Sequence, residues 1–381
     1  MFGRRDDLGV DTGAVSGRER LEAEGARRRP TWLALLVAVA VLAGLLVVRL
    51  TSPQEPVPDA VRPPASTPPS RSGPAAAGSP WPTGRGLPSG TLYVLASTDV
   101  YGIDVASGLV ESMGFDGLEA DRTVLTALAP GVLAWSPQDQ VRYRLSYAGS
   151  PAEPAVGPLG SAAAILPASG EQVWTATQER GASRDQAWVL TDDRRTTGPR
   201  VRIRGLAVPN GAGGLLDVEP TRVRLTGPKS DGTDVGTYLI ATGPDGLVVD
   251  SCADGLCTPE LLDRESGRTS SLGPAAPPTP DRASTVFDLG ALSPGNRFLA
   301  GSAPDRDSGY QLRVSEAAAP STPVRTIPVG SRPTGLTWLS DRWLVATSTT
   351  GLLLYDADQD SVTVPSLPFQ QPLQLVFEPI G

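Results

Sequence analysis

The chain has 381 residues, a formal net charge of −8 and no histidine. Without an imidazole it lacks the usual general base, the Ser-His-Asp and Cys-His catalytic arrangements, and histidine metal ligands. The acidic balance repels phosphate backbones, so we expect no nucleic-acid partner. We also expect no cofactor and no bound metal.

An uncharged apolar run extends from Trp32 through Leu36 to Val48, directly after three consecutive arginines at residues 27–29. A helix of about twenty residues matches the ~30 Å hydrocarbon core of a bilayer. No small-x-small cleavage site or cysteine follows the run, so we expect a retained anchor over residues 31–50. The arginines place the N-terminus in the cytoplasm and the rest of the chain outside, in a single-pass cell-membrane protein.

Both flanks of this anchor are predicted to lack a packed core. Residues 1–30 are polar and short, as expected of a cytoplasmic tail. Residues 51–89 are rich in proline, serine, alanine and glycine. Such a segment buries too little apolar surface to offset the conformational entropy that it would lose on folding. We therefore expect a disordered linker that holds an outer domain, residues 90–381, away from the bilayer.

The two cysteines, Cys252 and Cys257, flank an Asp-Gly pair. Asp-Gly is a strong signal for a two-residue hairpin turn, which would place the cysteines opposite each other on antiparallel strands. Outside the membrane, thiols persist as disulfides. A redox Cys-x-x-Cys motif has a shorter spacer, so the pattern predicts a structural disulfide.

Short apolar or alternating runs separated by glycine, proline and aspartate fill the chain from Thr91 onward. The recurrent unit contains an Asp-x-x-(Ser/Thr)-Gly turn, as in residues 104–108 and 263–267. A repeat of about forty residues is typical of propeller blades with four strands. The sequence predicts an all-β propeller with blades near residues 120–158, 160–204, 205–235, 236–273, 284–328 and 333–368.

Two segments remain without a complete blade. Residues 91–114 hold only the last three strands of a unit, and residues 373–377 form a lone strand at the other end. Joined, they would make a seventh blade and remove an exposed sheet edge. Because the unit at 205–235 is irregular, a six-bladed propeller remains the alternative.

Residues 293–300, Ser-Pro-Gly-Asn-Arg-Phe-Leu-Ala, resemble the Ser-Pro-Asp-Gly-x-x-Leu-Ala turn of TolB-type and WD-repeat-like propellers. The resemblance covers one blade well and implies the propeller architecture with a radial binding surface. It does not imply a function. The high alanine, glycine and proline content resembles the usage of actinobacterial proteins.

Three groups of side chains are candidates for chemistry. Arg200, Arg202 and Arg204 alternate with apolar residues, which puts them on one strand face as a candidate anion strip or a solvated surface. Residues 356–360, Asp-Ala-Asp-Gln-Asp, resemble a calcium loop but lack its glycine and its last glutamate, so we interpret them as a turn. Five tryptophans within predicted strands suggest packing between blades, or a sugar platform: Trp135, Trp174, Trp188, Trp338 and Trp343.

These patterns favour a membrane-anchored binding or scaffold module for a protein partner or an envelope glycan. Loops on a rigid scaffold commonly carry such a function. The alternative is an envelope hydrolase or lyase that uses carboxylates at the mouth of the propeller channel. A transmembrane sensor is a third hypothesis, although a disordered linker transmits little force. The sequence identifies no catalytic residue.

Overall fold

The computed structural model describes residues 77–96, 99–113, 119–136, 142–145, 153–155, 159, 162–177, 186–192, 196–227, 230–278, 289–305 and 309–380. No helix within these ranges is long and apolar enough to cross a bilayer. The predicted tail, the anchor with Trp32, Leu36 and Val48, and the first part of the linker lie outside the described residues.

Strands make up nearly all the regular structure of the described residues. The first strand, β1, is Ala77–Ser79, and unit 1 follows it with Gly90–Leu95 (β2), Val100–Asp104 (β3) and Val110–Ser112 (β4). A 3-10 turn at Ala120–Arg122 leads into unit 2, which contains Val124–Ala127 (β5), Val132–Trp135 (β6), Arg142–Leu145 (β7) and Glu153–Pro154 (β8). Unit 3 contains Ala164–Pro167 (β9), Val173–Thr177 (β10), Gln186–Thr191 (β11) and Thr196–Ile203 (β12).

The second half of the chain repeats this pattern. Unit 4 contains Leu206–Pro209 (β13), Leu215–Glu219 (β14), Arg222–Gly227 (β15) and Ser230–Gly236 (β16). Unit 5 contains Tyr238–Thr242 (β17), Gly246–Ala253 (β18), Leu256–Asp263 (β19) and Thr269–Ser271 (β20), and unit 6 contains Gly290–Leu292 (β21), Phe298–Asp305 (β22), Gly309–Glu316 (β23) and Pro323–Pro328 (β24). Unit 7 contains Leu336–Trp338 (β25), Trp343–Ser348 (β26), Gly351–Asp356 (β27) and Ser361–Pro365 (β28), and the last strand is Gln374–Pro379 (β29).

Within units 2 to 7 the strands pair antiparallel in chain order. Units 5 and 6 share one sheet, because β17 and β21 pair in parallel over two residues. Each unit contacts the next one along the chain, and unit 7 contacts unit 1. The described residues thus have an all-β, propeller-like fold.

Unit 1 is built from both ends of the described chain. Strand β29 pairs antiparallel with β2, from Gly90 opposite Pro379 to Leu95 opposite Gln374. This is the pairing predicted for the lone strand at residues 373–377. It occupies the edge of β2 that would otherwise be exposed.

The hydrophobic core is divided into clusters that each lie between two neighbouring units. One example joins Leu92 and Ile103 of unit 1 to Trp343 and Leu354 of unit 7. All five predicted strand tryptophans have at most 6% of their surface exposed, which confirms the packing interpretation: Trp135, Trp174, Trp188, Trp338 and Trp343. Large rings fill the space between neighbouring sheets and fix their separation.

The Asp-x-x-Ser-Gly turns form as predicted. Asp104 Oδ1 accepts hydrogen bonds from the backbone amide and hydroxyl of Ser107, at 2.7 and 2.6 Å, and Gly108 takes a φ of 75°. The turn after Asp263 repeats this arrangement, with Gly267 at a φ of 65°. In each turn the hydrogen bonds from the serine lower the pKa of the aspartate.

The chain packs against the propeller earlier than the boundary at residue 90 that its composition predicts. Strand β1 pairs in parallel with β28, with Ala77 opposite Val364. The Trp81 indole nitrogen donates to the carbonyl of Val105 at 2.9 Å, and its ring lies against Gly108. The apolar contacts of Trp81 stabilise a segment whose proline-rich composition alone indicates disorder.

Candidate ligand-binding cavity

A cavity of about 990 Å³ lies where the first strand of each unit turns toward the second. All seven units contribute to its wall, with β29 serving as the first strand of unit 1. Representative lining residues, one from each of units 1 to 7, are Phe377, Ala127, Pro167, Gly211, Thr242, Leu292 and Trp338. A volume of this size is at the upper end of the range for small-molecule sites, about 300–1,000 Å³.

The turns around the cavity consist mainly of glycine, alanine and proline. At Gly211 the backbone has a φ of 86°, and an added Cβ would lie 2.4 Å from the carbonyl oxygen of Gly243. Only glycine allows the turns of units 4 and 5 to approach this closely. The small residues therefore allow neighbouring units to approach each other closely around the cavity.

Two carboxylates, Asp245 and Glu378, are the ionisable side chains of the described cavity wall. Glu378 Oε2 accepts hydrogen bonds from the hydroxyl of Tyr93 and the backbone amide of Gly131, each at 3.0 Å. These two donors come from units 1 and 2 and fix the orientation of the carboxylate. Glu378 Oε1 has no hydrogen-bond partner among the described residues.

Arg264 supports the cavity wall from behind. Its Nη2 donates to the carbonyls of Gly243 and Gly246, at 3.1 and 3.4 Å. Burial lowers the pKa of Arg264 to about 10, and the negative charge of Asp245 acts in the opposite direction. The guanidinium remains charged at neutral pH and holds the turn between β17 and β18.

A second cavity, of about 940 Å³, lies in a groove between units 4 and 5. Its ionic side chains are engaged locally: Arg222 with Glu219 at 3.2 Å, Asp234 with Arg224 at 2.9 Å. Glu260 accepts a hydrogen bond from Ser251 at 2.5 Å. The cavity shared by all units is the better candidate for a ligand site because every unit contributes to its wall, whereas only two units form the groove.

The predicted arginine strip lies away from both cavities. Arg200 and Arg202 are exposed on β12, the outermost strand of unit 3, while Ile203 is buried. Arg204 is exposed just beyond the end of that strand. The alternation follows the pattern that the sequence indicates, and anion binding by the strip stays a prediction.

The cysteine pair lies at the end of the β18–β19 hairpin. Cys252 is directly opposite Cys257, the two Cα atoms are 4.0 Å apart, and the structure joins their sulfur atoms. Asp254 and Gly255 form the turn with φ angles of 51° and 77°. The geometry supports a pair placed for a disulfide, remote from the residues that line the cavity shared by all units.

The acidic segment at residues 356–360 is a turn in unit 7. Asp356 is buried and accepts hydrogen bonds from Arg342 Nε and Nη2, at 2.8 and 2.6 Å. The other carboxylates also lie beside arginines, Asp358 with Arg297 at 3.2 Å and Asp360 with Arg325 at 2.9 Å. Arginine pairing thus accounts for all three carboxylates, in agreement with the interpretation as a turn.

The residues that shape the cavity were not singled out from the sequence. Glu378 follows the predicted last strand directly, and its role depends on Tyr93 and Gly131, which are far away in sequence. Pairing the last strand with β2 places Glu378 opposite Thr91, and this register is the only signal that could have drawn attention to it.

No protein-family model matches the sequence, and no curated protein matches it either. Solved structures with a similar chain path include a candidate 6-phosphogluconolactonase from Bacteroides fragilis, with 11% identity, a TM-score of 0.49, and 76% of this chain and 98% of that chain covered. TolB from Acinetobacter baumannii is similar with 14% identity, a TM-score of 0.36, and coverage of 77% and 68%. AztD from Citrobacter koseri is similar with 10% identity, a TM-score of 0.39, and coverage of 76% and 99%. These scores carry no argument about function, and the fold assignment rests on the strand pairing of this chain.

Proposed function

We propose that this chain is a single-pass membrane protein whose seven-bladed extracytoplasmic propeller binds a protein or an envelope component. The observation that carries the proposal is the cavity to which all seven units contribute. Paired strands carry its wall, and turns of small residues surround it. Binding sites are commonly built on such loops and clefts.

The membrane anchor and the outer location rest on the sequence. The apolar run from Trp32 to Val48 has the length of a membrane span, and the arginines at residues 27–29 favour a cytoplasmic N-terminus. A disulfide between Cys252 and Cys257 suits an oxidising compartment. Protease treatment of intact cells tests this topology: we expect the propeller to be cut or released, and its survival beside digested surface proteins would contradict the proposal.

A substitution that fills the cavity tests the binding role. Ala212 is exposed on the wall, so Ala212→Trp should obstruct the cavity without disturbing a buried contact. Ala106→Trp is the matched control, because Ala106 is exposed in a turn outside the lining. The full-length chain is crosslinked in cell envelopes, and the attached proteins and glycans are quantified by mass spectrometry.

We expect one captured component to be lost with Ala212→Trp and kept with Ala106→Trp. Equal capture by both variants would place the binding surface elsewhere. No observation among the described residues specifically favours the alternative of an envelope hydrolase or lyase.

A further inference from the structure

The structure points to the charge of the ligand: we propose that the cavity shared by all units selects an organic cation, an ammonium or guanidinium group such as the end of a lysine or arginine side chain. This inference rests on the proposed function, because it names the ligand class of the same site. Its basis is the charge of the described wall, where Asp245 and Glu378 are acidic and no lysine or arginine occurs.

The apolar part of the cavity wall strengthens the preference for a cationic ligand. The same wall also contains apolar residues, among them Leu292, Trp338 and Phe377. In such a partly enclosed site, charges interact more strongly than in bulk water. An anionic ligand would be repelled by both carboxylates, whereas a cation would replace the water around them with a direct charge-assisted hydrogen bond.

Glu378 is the stronger of the two anchors. Arg264, behind the wall, lies close enough to Asp245 to interact with its charge and partly offsets it. Glu378 instead receives two neutral donors, the hydroxyl of Tyr93 and the amide of Gly131, on Oε2 alone. The orientation of the carboxylate is therefore fixed, and Oε1 has no hydrogen-bond partner among the described residues.

The position of Tyr93 explains how the orientation is maintained. Its side chain is only 1% exposed and packs in the core between units 1 and 2, so the hydroxyl cannot swing away. Glu378 itself pairs with Thr91 through the backbone of β29 and β2. The carboxylate is thus presented by packed strands rather than by a loop, which lowers the entropy cost of binding.

Fluorine NMR of the full-length chain in zwitterionic lipid nanodiscs, labelled with 5-fluorotryptophan, tests the inference. Trp338 lies on the cavity wall and reports binding there, and Trp338→Phe assigns its signal. The probes are acetyl- and methylamide-blocked lysine, arginine, norleucine and glutamate, which share a backbone and differ in side-chain charge. Glu378→Gln keeps the shape of the side chain and an oxygen acceptor but removes the charge.

We expect the two cationic probes to shift the Trp338 signal at concentrations about tenfold lower than the norleucine probe. Glu378→Gln should remove that advantage, whereas Glu111→Gln, on the outermost strand of the same unit, should preserve it. Probes that bind equally whatever their charge, or a preference that survives Glu378→Gln, would overturn the cation inference and leave the binding role intact. If none of the four probes shifted the Trp338 signal, both the inference and the assignment of the cavity as the ligand site would be overturned.

Discussion

The side chain of Gln374, in the last strand, is hydrogen-bonded to the backbone of Leu125 in unit 2. Gln374 Oε1 accepts from the amide of Leu125 at 2.9 Å, and its Nε2 donates to the carbonyl of Thr123 at 3.1 Å. Strand β29 also pairs along its length with β2. One strand from the C-terminus therefore connects unit 1 internally and attaches it to unit 2.

Replacing Gln374 with methionine should destabilise the propeller by about 2–3 kcal/mol. The substitution preserves the length of the side chain but leaves one amide and one carbonyl of unit 2 without partners, each at a cost of about 1–3 kcal/mol when buried. Urea unfolding measures the change. Gln370→Met is the control, because Gln370 is exposed, and an equal loss in both variants would contradict the role assigned to Gln374.

The sequence predicts the strand that carries Gln374, but it does not predict the contacts that the Gln374 side chain makes. The alternation and spacing of residues 373–377 are local, and they predict a strand that needs a partner. The contacts of Gln374 and Glu378 join residues about 250 positions apart, and no local pattern records them. The packing of Trp81 is hidden for the same reason, since its partners Val105 and Gly108 belong to a different segment.

Asp356→Asn should cost about 1–3 kcal/mol at neutral pH. Asp356 is buried and accepts two hydrogen bonds from Arg342, and the substitution removes the charge that strengthens them; Arg342 itself is partly exposed and keeps a second carboxylate, Asp358, at 3.8 Å. Chemical denaturation measures the loss. Asp254→Asn serves as the control, because Asp254 lies in the exposed tip of the β18–β19 turn. Asp341→Asn is less suitable, because Asp341 accepts a hydrogen bond from the amide of Gly295.

The contribution of Asp356 should also depend on pH in a defined direction. Burial raises the pKa of this carboxyl, but the hydrogen bonds from Arg342 and the amides of Gln359 and Asp358 outweigh burial, so the pKa is lowered overall. The stabilisation is then present above the unfolded pKa, about 3.9, and is lost as the pH falls through the lower folded pKa. The stability difference between wild type and Asp356→Asn should be constant above about pH 5 and shrink below pH 4. A difference that grows on acidification would contradict the assignment.

Replacing Cys252 and Cys257 with alanine should lower the free energy of unfolding by about 2 kcal/mol, the value expected for a short closed loop. The sulfur atoms join directly opposite residues, so the loop between them contains little more than the turn. Reductant should destabilise the wild type by a similar amount and leave the double variant unchanged. Thiol labelling of the unfolded, unreduced protein should be negligible, and strong labelling would show that the pair is reduced.

Two matched glycine substitutions test whether Trp81 holds the incoming chain against the propeller. Gly108 and Gly267 occupy the same position in equivalent turns, with φ angles of 75° and 65°. A Cβ at Gly267 meets nothing within 4 Å, whereas a Cβ at Gly108 would lie 2.5 Å from the Trp81 ring. Gly267→Ala should therefore cost only backbone strain, about 1–2 kcal/mol.

Gly108→Ala should cost about 1–2 kcal/mol more than Gly267→Ala, because it adds displacement of the indole to the same strain. The additional cost of Gly108→Ala should disappear in a Trp81→Ala background, where the ring is absent. A double-mutant cycle measured by urea unfolding isolates this additional cost. Gly108→Ala should also make the chain before residue 90 more sensitive to limited proteolysis, since the hydrogen bond from Trp81 to Val105 is lost. Equal costs at the two glycines, or an excess that persists without Trp81, would show that the indole does not stabilise this junction.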